Sequence, residues 1–175
     1  MKRLGIFCAT AALAGIALTA AVRAGGDLVK FPENYAKGVL YATVERADNK
    51  QYRELYITPE AIEAVKAGKP VPSGTVITLV QYKALLTIAG EPQKDKDGRF
   101  IKGPLIGYTV MEKRDGWGGE YPDDVRNGEW EYQAFKADRT VNDKANLKAC
   151  FTCHLQKIGA KHDFLFTLDK LKTAK

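Results

Sequence analysis

After one apolar N-terminal run, the chain reads as short stretches of branched and aromatic residues separated by polar turns, a pattern of strands rather than of long helices. Residues 39–44 alternate as a strand does, and residues 52–57 predict a second strand across the polar turn Asp48-Asn49-Lys50-Gln51. The longest β-rich run, residues 74–88, predicts a central strand. Residues 105–112 and 129–135 predict two more, separated by a glycine-rich, aromatic loop at 115–128. Helical signals are few. Phe31-Pro32-Glu33-Asn34-Tyr35 predicts a short helix with proline tolerated at its start. Thr58-Pro59-Glu60 predicts a helix to about Ala67, with the Thr58 hydroxyl as its cap and Gly68 as its stop. Together these elements predict an α+β domain, mostly antiparallel sheet with short flanking helices. The long 3.6-period apolar stripes of a four-helix bundle are missing.

Asp97-Gly98 suits a hairpin turn. With Asp95 it resembles a calcium loop only in part, because the first ligand position would be Gln93 and the closing acidic position falls on Pro104. We read this segment as a solvated hairpin.

The N-terminal run changes the picture of composition and compartment. Lys2 and Arg3 precede an apolar stretch at 4–22, and Val22-Arg23-Ala24 offers a cleavage site after Ala24, as in a secretory signal peptide. The run is long enough to span a bilayer, but its alanine, threonine and glycine content favours removal over anchoring. Cleavage leaves one domain of residues 25–175, free of the membrane, in the periplasm or an equivalent exported space. It also removes Cys8, so both cysteines that remain of the original three belong to one motif. The net charge of +6 loses Lys2, Arg3 and Arg23, leaving 24 basic against 21 acidic residues. Such dispersed charge gives no basic face for nucleic acid.

That motif is Cys150-Phe151-Thr152-Cys153-His154. Two thiols at this spacing can add to the two vinyl groups of one porphyrin, and the adjoining imidazole can ligate its iron. The reading is a covalently attached haem c, with Cys150 and Cys153 as attachment points and His154 as the axial metal ligand. A thioredoxin-like pair would need a βαβ context, and the segment before Cys150 is polar and turn-like. A zinc site would need more cysteines and histidines than the chain holds. A simple disulfide leaves His154 unexplained.

The ordered set Phe31-Pro32-Glu33-Asn34-Tyr35, Tyr56-Ile57-Thr58-Pro59-Glu60-Ala61, Pro72-Ser73-Gly74-Thr75-Val76-Ile77, Trp130-x-Tyr132-x-x-Phe135, Ala149-Cys150-x-x-Cys153-His154 and Asp163-x-x-Phe166-Thr167 resembles the cytochrome P-460 family and the related cytochromes c′-beta. The resemblance spans nearly all of the chain after the leader. It implies a mostly antiparallel β domain with one c-type haem, a proximal histidine and a distal side open to small ligands. It also implies either oxidation of hydroxylamine with nitric oxide chemistry, or binding of nitric oxide and related gases. Family members are often homodimers. Oxidising members carry a lysine joined to the porphyrin on the strand after the Gly-Thr-Val-Ile segment, and here Leu79 stands at that place. Lys83 lies on the same strand face but roughly 13 Å further along, beyond the reach of a lysine stem.

The sixth coordination position separates the remaining readings. An electron carrier normally fills it with methionine or histidine. After the leader the chain offers only Met111 and His162. His162 follows His154 too closely to reach the opposite haem face, and Met111, in a predicted strand, suits core filling. The expectation is therefore an open distal site that binds nitric oxide or a related nitrogen-oxide ligand and exchanges electrons with a partner cytochrome. The alternatives are a hydroxylamine-oxidising haem enzyme and a plain electron carrier with Met111 as sixth ligand. Glu131 and Gln133 alternate with Trp130 and Tyr132, so that one pair is expected inside and the other, with Glu131, on a solvated face. The aromatics Phe31, Trp130, Tyr132 and Phe135 are expected in the core or against the haem.

Overall fold

The computed structural model describes residues 28–174, so the leader, its cleavage point and Cys8 lie outside the described residues. Five strands, β1 (Val39–Arg46), β2 (Gln51–Ile57), β3 (Val76–Ala84), β4 (Lys102–Lys113) and β5 (Trp130–Lys136), pair in chain order as an antiparallel meander. The helices are α1 (Pro59–Lys66), α2 (Leu147–Lys157) and α3 (Leu168–Lys172). The α+β architecture predicted from the alternation is the one observed, with β3 at the centre of the sheet.

The register sorts side chains into rows. On one face Val39, Ile57, Ile77, Met111 and Tyr132 stand side by side across all five strands. They belong to the larger core, which the helices complete through Ala61, Ile62, Phe151, Leu165 and Leu171. On the other face Val80, Tyr108, Val110 and Phe135 form a second core with Val29, packed by Phe31, Tyr35, Tyr56 and Tyr82. Phe31 meets Tyr108 and Phe135 edge-on at 4.9 and 5.3 Å.

Three local expectations change. The helix expected at 31–35 is a 3-10 turn at Tyr35–Lys37, because Phe31 is drawn instead onto the second core. The central strand ends at Ala84 rather than at 88, since its neighbour β2 begins at Gln51, opposite Lys83, and offers no ladder beyond. The chain continues as a hairpin arm, closed by the bridges Leu86↔Pro92 and Lys94↔Phe100 and turned at Asp95, whose Oδ1 accepts from the Asp97 and Arg99 amides. Finally, α1 starts where predicted, but the Thr58 side chain makes no capping hydrogen bond. Its backbone carbonyl takes the Ala61 amide instead, at 3.2 Å.

Candidate functional site

The polar stretch ahead of Cys150 ends in Asn146, whose side chain accepts from the Ala149 amide at 3.2 Å and starts α2. Within this helix Cys150, Cys153 and His154 stand at i, i+3 and i+4, and so share one face. Phe151 points the other way and is fully buried, its ring meeting those of Tyr132 and Tyr121 at 4.5 and 5.0 Å. That anchor fixes α2 against β5, with Cys150 and His154 still touching the core and Cys153 exposed. Cys150 is half-buried and Cys153 exposed, and neither is in a disulfide.

The His154 ring packs edge-on against Tyr132 at 5.1 Å and Phe166 at 4.9 Å. Its Nδ1 lies 2.6 Å from the carbonyl oxygen of Phe164. A carbonyl only accepts, so the proton belongs on Nδ1 and the lone pair on Nε2. Burial pulls the His154 pKa below its usual value, against a smaller opposing effect of the Phe164 carbonyl. Burial thus favours the neutral ring and the Phe164 carbonyl orients it, giving the form of imidazole that ligates a metal. Burial, with the neighbouring Cys153, raises the Cys150 thiol above its usual value and keeps it protonated.

Beside this face the sheet is incompletely covered. The next row along is Ala42, Leu55, Leu79, Thr109 and Ala134, and the one after it holds Val44, Arg53 and Gln81. Ala42, Val44, Leu79 and Cys150 are only partly buried where they pack on the larger core. Arg53 donates from Nε and Nη2 to Gln51 Oε1 at 2.9 and 2.7 Å, and Gln81 Nε2 donates to Thr109 Oγ1 at 3.0 Å. Arg46 pairs with Asp48, its Nε donating to Oδ1 at 2.8 Å. Sequence reading had passed over Arg46, Arg53, Gln81 and Thr109. The available signal was that Arg53 alternates with Leu55 and Ile57, which puts a guanidinium on the core face of β2.

The donor set has the chemistry of a c-type haem site: two unpaired thiols, one neutral imidazole and an apolar strip with cationic side chains at its edge. No group of three or more His, Cys, Asp or Glu gathers into a metal cage among the described residues. A cavity of about 370 Å³ lined by Pro32, Tyr35, Tyr56, Pro59 and Thr78 lies away from α2 and holds neither thiol nor imidazole.

The other sequence-predicted residues scatter. Leu79 lies on the strip, between Leu55 and Thr109. Lys83 is exposed near the far end of β3, four pairs further along. Met111 is 8% exposed, in the row between Ile77 and Tyr132. His162 sits in a 3-10 turn, Ala160–His162, on the same C-terminal segment as His154. Of the four aromatics, Trp130 and Tyr132 belong to the larger core and Phe31 and Phe135 to the second. The expectation of a solvated Glu131 fails: it is 0% exposed and Gln133 is buried too. The loop at 115–128 folds over the edge strand β5, and Tyr121 donates to Glu131 Oε2 at 2.8 Å. Gly118 permits this fold, having a φ of +79° and a position where a Cβ would stand 2.3 Å from the Gly128 carbonyl oxygen.

The family model for Cytochrome P460 matches residues 32–167, from the first turn to the head of α3. Comparison with curated proteins gives no match. With most of its length covered by that model, the chain belongs to the cytochrome P460 family and is a haem-binding cytochrome.

Proposed function

We propose that this protein is an exported, periplasmic monohaem c-type cytochrome that binds nitric oxide or a related small nitrogen-oxide ligand and exchanges electrons with a partner cytochrome. Cys150 and Cys153 are the thioether attachment points and His154 the axial ligand. The observation that carries this reading is the orientation of His154, whose Nδ1 is engaged by the Phe164 carbonyl on the same helix face as two unpaired thiols. When bound, the haem supplies an iron able to take a diatomic ligand at its remaining coordination position.

The chain's own residues favour leaving that position open. Met111 is held in the core row, and serving as a ligand would cost it those contacts. His162 shares the segment that carries the His154 acceptor. Ala42, Val44 and Leu79 offer an apolar strip, and Arg53 at its edge would offset propionate charge, whereas Arg46 is already paired with Asp48. Leu79 offers no amine to a porphyrin carbon, which weighs against hydroxylamine oxidation of the cross-linked kind.

The test is the optical spectrum of the purified protein, ferric and dithionite-reduced, before and after nitric oxide. A high-spin ferrous spectrum that changes on adding the gas is expected. A sharp low-spin spectrum indifferent to it would instead make the protein an electron carrier, and a Soret band displaced far to the red would favour the oxidase.

A further inference from the structure

The Asp163-x-x-Phe166-Thr167 sequence carries no role in haem attachment, yet its first residue lies next to the carbonyl that holds His154. After α2 the chain reverses through Gly159 and the turn Ala160–His162, and enters a pair of non-glycine residues with positive φ, Asp163 at 48° and Phe164 at 57°. Asp tolerates the left-handed region better than most residues, and Phe does so poorly. The Asp163 and Phe164 amides donate to the Ala160 and Gly159 carbonyls at 2.9 and 3.0 Å, and side-chain contacts add to that hold.

Both carboxylate oxygens of Asp163 are engaged. Oδ2 accepts from Lys113 Nζ at 2.8 Å and Oδ1 from Trp130 Nε1 at 3.2 Å. Lys113 and Trp130 face each other across β4 and β5, and the Lys113 ammonium also lies 5.7 Å from the indole centroid. The ion pair is shielded, its Lys113 and Asp163 side chains being 13% and 25% exposed. On the other side of the strained peptide the Phe164 ring packs over Gly128, where a Cβ would come within 3.1 Å of it. The Phe164 carbonyl is thus fixed from both ends, and that carbonyl is the acceptor of His154 Nδ1.

We propose that Asp163 is a positioning residue: tied to Lys113 and Trp130, it holds the Phe164 carbonyl against His154 and so sets how strongly this imidazole donates to the haem iron. The proposal rests on His154 being the axial ligand. A firm hydrogen bond from Nδ1 gives the ring imidazolate character, strengthens its bond to a metal and favours the oxidised state. Loosening the carbonyl weakens the bond and raises the reduction potential. Deleting the Asp163 charge also raises the potential by simple electrostatics, so the test must separate charge from position.

Three variants of the haem-loaded protein do so. Asp163→Ala removes both tethers and the charge. Asp163→Asn removes the charge but keeps an acceptor for Trp130 and tolerance of positive φ. Trp130→Phe removes one tether with no change of charge. The iron–histidine stretching frequency of the reduced protein is expected to fall most in Asp163→Ala, less in Trp130→Phe and least in Asp163→Asn. The midpoint potential gives the same comparison in any spin state, with Asp163→Ala above Asp163→Asn. Should Asp163→Ala fail to fold, Trp130→Phe against wild type decides the matter. Equal frequencies in all variants, with Asp163→Ala and Asp163→Asn at one potential, would overturn the positioning role and leave haem ligation intact. A wild-type protein whose haem iron lacks the His154 ligand would overturn both.

Discussion

The two faces of the sheet are built from the same alternation and end up doing different work. The face with Tyr108, Val110 and Phe135 is covered by rings of its own region, Phe31, Tyr35, Tyr56 and Tyr82, of which Phe31, Tyr35 and Tyr56 meet edge-to-face. The face with Ile77, Met111 and Tyr132 is covered by helices, while in the next rows Ala42, Leu79, Val44 and Arg53 stay only partly buried on the side where Cys150 packs. A core covered by its own rings serves stability. A core that stops short beside two thiols and an oriented imidazole leaves room for a group the chain does not supply.

The sharpest way to break this contrast is to remove the donors. Cys150→Ala with Cys153→Ala is expected to abolish covalent haem, read by intact mass, while the same substitutions leave the aromatic face and the haem-free fold unchanged by circular dichroism. Next in size is the anchor of α2. Phe151→Ala empties a fully buried ring site between Tyr121 and Tyr132 and is expected to cost ~3–5 kcal/mol in urea unfolding. Haem retention should fall with it, because the helix loses its fixed seat on β5.

A smaller effect is read through pH. Tyr41, on the helix-covered side, has its phenol pushed up from 10.0 to about 12 by burial, against a smaller opposing effect of its 2.8 Å hydrogen bond with Thr167. The unfolded chain releases this proton first, so the stability it contributes is complete below pH 10 and is lost as pH rises to about 12. The contribution is at most ~3 kcal/mol. Urea midpoints between pH 9 and 12 are expected to decline less steeply in Tyr41→Phe than in wild type. The smallest effect concerns α1: Thr58→Ala should change stability by less than ~0.5 kcal/mol, well below a usual cap, since the hydroxyl caps nothing.

Thr58 also shows what the sequence could and could not carry. Strand alternation is a local signal, so β1, β2, β4 and β5 were legible to within two or three residues. Where β3 stops depends on how far its neighbour extends, which residues 85–88 do not encode by themselves. The Cys-x-x-Cys-His pattern was legible because its three side chains lie within about one helical turn of one another. Glu131 was misread because its burial comes from a loop folding over the sheet edge, closed at Gly118 against Gly128. The carbonyl that orients His154 was invisible for a related reason: any residue has one, and only the left-handed pair Asp163 and Phe164, held by Lys113 and Trp130, aims this one at the imidazole.

The most direct test of the account is intact-mass spectrometry of the protein, produced with haem-attachment machinery and extracted with acidified organic solvent. Wild type is expected to keep the mass of one haem through extraction, and Cys150→Ala with Cys153→Ala to lose it. A wild-type chain stripped to its bare polypeptide mass, or a doubly substituted chain that keeps the haem, would contradict it.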